Sequence, residues 1–164
     1  MTKQIPLTQG KFAQVDDADF DWLNQWKWSY NPNGYAVRYD DLGMVNGRRK
    51  KRVFLMHRVI LGTPKGMRTD HRDCTDRLNN QRYNLRVATA VESQRNRGAK
   101  RGSSSKFKGV SWRKNEKTWA VCIKYGEKQK HIGNFKREDD AALAYNFYAH
   151  KHFGEFAAFN VAGG

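Results

Sequence analysis

The chain has 164 residues, room for one ordinary domain or two small ones with modest cores. Hydrophobic residues make up 38% and aromatics 13%, so it can fold, while 31 basic against 16 acidic residues leave a net charge of +15 that calls for a polyanionic partner. No apolar run is long enough to span a bilayer and residues 1–10 lack the apolar core of a secretory signal. A membrane is therefore the weakest candidate partner, and the expected location is the cytoplasm, that of a host cell if the gene is carried by a phage. Cys74 and Cys122 lie far apart, without the paired spacing of a zinc site or a disulfide framework, and are expected to be reduced and structural. Nothing in the composition points to a small-molecule substrate, and protein partners are not legible.

In chain order, Asp16 or Asp17 can cap a short helix to about Trp26, with Phe20, Leu23 and Trp26 at helical spacing. Residues 34–39 alternate like a strand, and a turn is expected at 40–43. Gly47 then leads into five consecutive cations, Arg48, Arg49, Lys50, Lys51 and Arg52, followed by an apolar stretch at 53–56. A solvated hairpin tip is the ordinary explanation of such a run. In a chain that needs a polyanion, these five are read as phosphate contacts. The aromatics Phe20, Trp22, Trp26, Trp28, Tyr30 and Tyr35 are spaced for packing, with few cations among them, and are expected in a core.

Residues 68–97 read RTDHRDCTDRLNNQRYNLRVATAVESQRNR. Hydrolysis of a phosphodiester needs an activated water, a cation against the charge on phosphate and leaving oxygen, and a scaffold that holds both in line. Asp70 is a hard oxygen ligand suited to Mg²⁺, and His71 has a side chain that can take a proton from water near neutral pH. Adjacent residues on a strand point to opposite faces, so a local bend is expected beside them.

With His57-Arg58 upstream, Asp70-His71, Arg77-Leu78-Asn79-Asn80, Asn84-Leu85-Arg86-Val87-Ala88-Thr89 and a helix over 90–97, the segment resembles the HNH homing endonucleases of phages and mobile introns. The resemblance implies a strand-strand-helix (ββα-metal) domain over residues 1–97 in which His71 is the general base, Asp70 a metal ligand and Asn80 the residue whose amide pins the loop. It also implies one Mg²⁺ or Mn²⁺ per site, double-stranded DNA as substrate, and products with 5′-phosphate and 3′-hydroxyl ends. The family's second ligand position falls on Ser93, which reaches less far than asparagine; Asn96, three residues on and on the same helical face, is the alternative. His57 is expected to pack or to bind phosphate rather than to catalyse.

Residues 98–105, rich in Gly, Ser and cations, read as a linker. Beyond it, residues 106–164 give strand patterns at 106–114, 118–125 and 128–135, with turns at Asn115-Glu116 and Gly126-Glu127, and a helix from about Arg137 to Phe153 that stops at Gly154. Trp119, Val121 and Ile123 alternate with Ala120, Cys122 and Lys124, so one sheet face is apolar. Ala141, Ala142, Tyr145 and Ala149 let the helix lie close on that face. The whole is an α+β chain: a strand-strand-helix domain, then a three-stranded antiparallel sheet packed on one helix.

Through Lys108-Gly109-Val110, Trp119-Ala120, residues 131–135, residues 141–145 and Phe159-Asn160, this second part is similar to the plant ethylene-response-factor (Apetala-type) DNA-binding domain. The similarity implies a sheet in the major groove with Lys108, Ser111, Arg113, Lys124, Gln129 and His131 at the contact positions. Ser111 and Gln129 stand where arginine is usual and His131 where tryptophan is usual, so the plant target sequence is not implied; Lys130 occupies a normally apolar position. Residues 98–136 hold 11 basic and two acidic residues, more one-sided than a merely soluble face requires. The expected function is a metal-dependent homing-type endonuclease positioned by this sheet. The other reading is a sequence-specific DNA-binding regulator whose nuclease site has decayed, which Ser93 keeps open. A structural protein bridging nucleic acid would require the Asp70-His71 constellation to be accidental.

Overall fold

The computed structural model describes residues 1–100 and 102–162, so Arg101 of the Gly/Ser segment and the last two glycines lie outside the described residues. The fold is mixed α/β, with several small antiparallel sheets and four helices, and it divides into two compact units, Met1–Ala90 and Val91–Gly164. None of the helices among the described residues is long and apolar enough to cross a membrane.

The first unit opens with a hairpin, β1 (Thr2–Pro6) and β2 (Phe12–Asp16), that hydrophobic periodicity alone does not announce. Only Ile5, Ala13 and Val15 of these ten residues are buried, too few to make a pattern. Helix α1 (Asp17–Leu23) starts directly after β2, with Asp17 and Asp19 in its first turn at the positive end of the dipole. It ends three residues before the expected Trp26, which instead lies exposed with its ring edge-on to Trp22.

The sheet β3 (Ser29–Tyr30), β4 (Ala36–Val45) and β5 (Arg48–Leu55) corrects the expected turn at 40–43. Residues 42 and 43 form a bulge inside β4: the pairing shifts between Asp41 and Met44, Gly43 takes φ 74°, and its N–H donates to Asp41 Oδ1 at 2.9 Å. The chain reverses at Asn46-Gly47, both at positive φ (50° and 72°), as the tight two-residue turn of a right-twisted hairpin requires. Helix α2 (Met56–Leu61) follows where only an apolar stretch was expected, burying Met56, His57 and Ile60.

Strands β6 (Arg68–His71) and β7 (Leu85–Ala88) pair antiparallel. The loop between them is sewn to β2: Gln14 N–H donates to the Leu78 carbonyl and Asn80 N–H to the Gln14 carbonyl, each at 2.8 Å. Arg82 adds a two-nitrogen contact to the buried Asp19 carboxylate at 2.8 Å. Ile5, Val15, Leu23, Trp28, Met56 and Leu85 are among the residues that form the core under this frame.

In the second unit, β8 (Val110–Arg113), β9 (Thr118–Tyr125) and β10 (Lys128–Phe135) form an antiparallel sheet in the order β10-β9-β8. Helix α4 (Glu138–Phe153) buries Ala141, Ala142, Tyr145, Ala149 and Phe153 with Val121 and Ile123 of β9. The expected first strand, 106–114, is shortened because its leading residues turn: Ser105 is buried and donates to Glu138 Oε1 at 2.6 Å, and Gly109 takes φ 76°. A Cβ at Gly109 would lie 2.2 Å from the Tyr145 ring, so only glycine lets helix and sheet approach here. Asn160 closes the unit by pairing with the Lys108 backbone, accepting from its N–H at 2.8 Å and donating to its carbonyl at 3.1 Å.

Candidate active site and DNA-facing surfaces

Asp70 and His71 sit at the end of β6, and the strand pairing sends them to different partners. Asp70 is opposite Arg86 on β7, and residues paired across an antiparallel ladder share a face. Arg86 therefore meets it: Nη2 donates to Asp70 Oδ2 at 3.0 Å and Nε to the same oxygen at 3.3 Å, both residues being buried. His71, on the other face, reaches Asn80. The Asn80 amide nitrogen donates to the Leu78 carbonyl at 3.1 Å, which fixes Oδ1 as the atom 3.3 Å from His71 Nε2. His71 Nε2 and Asn80 Oδ1 thus form one hydrogen-bonded pair in the interior. Burial lowers the His71 pKa against the raising influence of Asn80 and Asp70, which keeps the ring neutral at neutral pH.

The bend expected after the strand is present at residues 72 and 73 and is held by Asn84. Its Oδ1 accepts from the Asp73 N–H at 2.9 Å and its Nδ2 donates to the Asn79 carbonyl at 2.9 Å. Asn80 and Asn84 thus divide the pinning of the loop expected of Asn80 alone.

Three further side chains gather at His71. The His57 ring stands edge-on to it, centroids 4.9 Å apart, and Tyr35 lies 5.0 Å from His57 and 5.9 Å from His71. Tyr35 therefore belongs to the site rather than to the aromatic core. Burial first, then the His71 and Arg58 charges, pushes the His57 imidazole from 6.5 down to about 3. The ring contacts with Tyr35 and His71 are packing contacts of a buried imidazole. Over the other side of Tyr35 lies the Arg77 guanidinium, 5.2 Å from the ring centroid, lining an open cleft of about 480 Å³.

A relative from Acanthamoeba polyphaga mimivirus, named an uncharacterized HNH endonuclease, is 35% identical over 153 residues, which is 93% of this chain and 76% of its own length. The chain belongs to the HNH endonuclease family. No family model matches it, and no solved structure does.

For an HNH endonuclease the donor set is informative. Among the described residues no group of three or more His, Cys, Asp and Glu side chains gathers as a metal cage. One buried carboxylate, Asp70, beside a neutral imidazole suits a hard ion that keeps most of its waters and takes further oxygens from a phosphate, as Mg²⁺ and Mn²⁺ do; it does not suit a closed zinc site. Ser93 lies on α3 (Ala90–Arg95), and Asn96 directly after it is almost fully buried; both belong to the second unit. Arg86 and Asn84 are the site residues that sequence reasoning left without roles, and Tyr35 the one it placed in the core. Pairing residues 68–71 against 85–88 would have exposed Arg86, since that register places it opposite Asp70.

The residues expected to face DNA fall on two surfaces. Arg48, Arg49, Lys50, Lys51 and Arg52 are all exposed on β5. On one face of the second sheet, register pairs Ser111 and Arg113 of β8 with Ala120 and Thr118 of β9, and Gln129 and His131 of β10 with Lys124 and Cys122 of the same strand. Lys108 stands apart, in the turn before β8, with its ammonium donating to the Arg95 carbonyl. Lys130 shares the register of the apolar face but swings out over the Tyr125 ring at 4.7 Å, next to a pairing shift between His131 and Gly133.

Proposed function

We propose that this HNH endonuclease is a homing-type enzyme that hydrolyses phosphodiester bonds of duplex DNA with Mg²⁺ or Mn²⁺, positioned by the outer face of the β8–β9–β10 sheet. The observation that carries this reading is the buried His71 held by Asn80 beside the Asp70–Arg86 pair. A buried imidazole whose pKa burial lowers, held in place by Asn80, is prepared to act as a general base. His71 takes a proton from the water whose oxygen bonds to phosphorus. The phosphorus–O3′ bond breaks, and a solvent proton ends on that oxygen, leaving 5′-phosphate and 3′-hydroxyl ends. Asp70 would hold the divalent ion, whose chemistry is to neutralise charge on the phosphate and the leaving oxygen, and Ser93 and Asn96 are the candidates for the family's second ligand position. Arg86 keeps the Asp70 carboxylate oriented, and Arg77 offers the phosphate a cation at the mouth of the cleft.

Specific duplex binding belongs, in this reading, to Ser111, Arg113, Lys124, Gln129 and His131, with the exposed basic stretch of β5 adding phosphate contacts. Plasmid DNA incubated with the protein in Mg²⁺, in Mn²⁺ and in EDTA tests the proposal. Metal-dependent cutting is expected; retention of the DNA without cutting in either metal would make the chain a binding protein with a decayed site. Ser93→Asn then distinguishes the two ligand positions. A lower metal concentration for half-maximal cutting assigns the ion to Ser93, and an unchanged one together with damage from Asn96→Ala assigns it to Asn96.

A further inference from the structure

From Asp41 the β4–β5 hairpin of the first unit lies outside its core: all thirteen residues from 41 to 53 are exposed. A two-stranded ribbon is marginal by itself, and this one also presents Met44 and Val53 to solvent, at 69% and 54% exposure. Its width suits a partner, since the major groove of B-form DNA admits a two-stranded ribbon.

Register divides the five cations between two faces. Val45 pairs with Arg48 and Asp40 with Arg52, so Arg48, Lys50 and Arg52 share one face with Arg38 and Asp40. Met44 pairs with Arg49, Asp41 with Lys51 and Tyr39 with Val53, so Arg49 and Lys51 share the other with Asp41 and the exposed apolar side chains. The two faces differ in how their charge is engaged. Arg49 Nε donates to Asp41 Oδ2 at 2.6 Å, and Lys51 stands 6.0 Å over the Tyr39 ring and acts on the same Asp41. On the first face the single carboxylate, Asp40, is taken by Arg38 at 2.7 Å. Arg48, Lys50 and Arg52 make no ion pair among the described residues, and they recur at about 6.8 Å along the strand, two residues of antiparallel rise.

We infer that the β4–β5 ribbon is a duplex-DNA contact of one-sided charge, in which Arg48, Lys50 and Arg52 meet phosphates while Arg49 and Lys51 do not. The choice of DNA over another polyanion rests on the endonuclease reading. Charge complementarity and the groove's width support it, and the bulge at residues 42 and 43 gives the ribbon the extra twist with which an edge follows a helical groove.

The test measures binding of the full chain to a mixed-sequence duplex across a salt series in EDTA, so that cutting plays no part. Each lost phosphate contact lowers the slope of log affinity against log salt by about 0.9. The triple variant Arg48→Gln, Lys50→Gln, Arg52→Gln is expected to lower it by about 2 to 3, and Arg49→Gln with Lys51→Gln by less than about 0.5. Lys50→Gln alone, opposite the bulge and without a partner to lose, should remove about 0.9 and serves if the triple variant folds poorly. Equal losses for the two faces, or none for either, overturn the inference. So does retention on phosphatidylserine vesicles, abolished by the triple variant, with unchanged DNA binding. A wild-type chain that fails to cut in metal yet shows the one-sided slope sinks the nuclease reading and leaves the ribbon in place.

Discussion

Asp70, His71, Asn80 and Arg86 lie buried and bonded in pairs, whereas Arg113, Lys124, Gln129 and His131 stand in solvent on the outer face of the β8–β9–β10 sheet. Under the proposed function, the contrast follows from what each region would have to do. A general base must be neutral and held in one orientation, which burial and hydrogen bonding supply at the expense of stability elsewhere. A surface that takes up phosphates gains most from solvated cations whose binding releases counterions from the DNA. Changes in the first region should therefore act on folding or on chemistry, and changes in the second on salt-dependent affinity, with the packing beneath each sheet deciding stability.

The largest expected effect breaks the packing of the second region. Gly109→Ala places a Cβ 2.2 Å from the Tyr145 ring and 2.8 Å from the Cys122 carbonyl oxygen, at φ 76°. Denaturant unfolding of the full chain should show the second unit weakened by more than ~4 kcal/mol, and a loss below ~1 kcal/mol would mean that helix and sheet do not approach as described. Next, Arg86→Ala removes the two hydrogen bonds by which Arg86 holds the buried Asp70 carboxylate. The first unit should lose ~3–5 kcal/mol, and a neutral outcome would show the ion pair to be solvated.

Acid sharpens the contrast because it acts through the buried histidines. His57 holds its folded pKa near 3 against an ordinary 6.5, so as pH falls below 6.5 the unfolded chain takes up a proton that the folded chain refuses. Stability is then complete above pH 6.5 and declines toward pH 3, by up to ~1.4 kcal/mol per unit from this residue. Unfolding free energies at pH 6 and pH 5 for the wild type and His57→Phe check this; the same pH slope in both would remove His57 as the cause. The smallest effect belongs to the exposed sheet. Arg113→Ala should leave stability unchanged and lower the salt slope of duplex binding by about 0.9, and an unaltered slope would take Arg113 off the phosphate-facing surface.

How much of this was legible in the sequence varies with the range of the interactions that decide it. Strands β9 and β10 begin and end where the sequence pattern puts them, because β9 has one apolar face and a glycine-containing turn joins the two. The Asp70–His71 pair and Asn80 were legible as a constellation of chemistry. The partnership of Asp70 with Arg86 was not, because it depends on strand register across a loop of thirteen residues, 72–84. The bulge in β4 was misplaced as a turn for a local reason: Gly43 and Asn46-Gly47 are both sites of positive φ, and only the second has the two adjacent residues that a tight reversal needs. The β1–β2 hairpin was not announced because only Ile5, Ala13 and Val15 of its strands are buried, while Gln14 and Asp16 bond to a loop distant in sequence.

The central claim is that His71 is the base of a metal-dependent nuclease whose DNA contacts lie elsewhere. The measurement that tests it most directly sets cutting and binding side by side for the wild type and His71→Ala, in Mg²⁺ and in Mn²⁺. Cutting should fall by roughly 10²- to 10⁴-fold while duplex affinity in EDTA stays within about twofold, because a general base contributes to proton transfer and not to phosphate or base contacts. A variant that cuts at the wild-type rate, or one that loses cutting only in proportion to lost binding, would contradict the account.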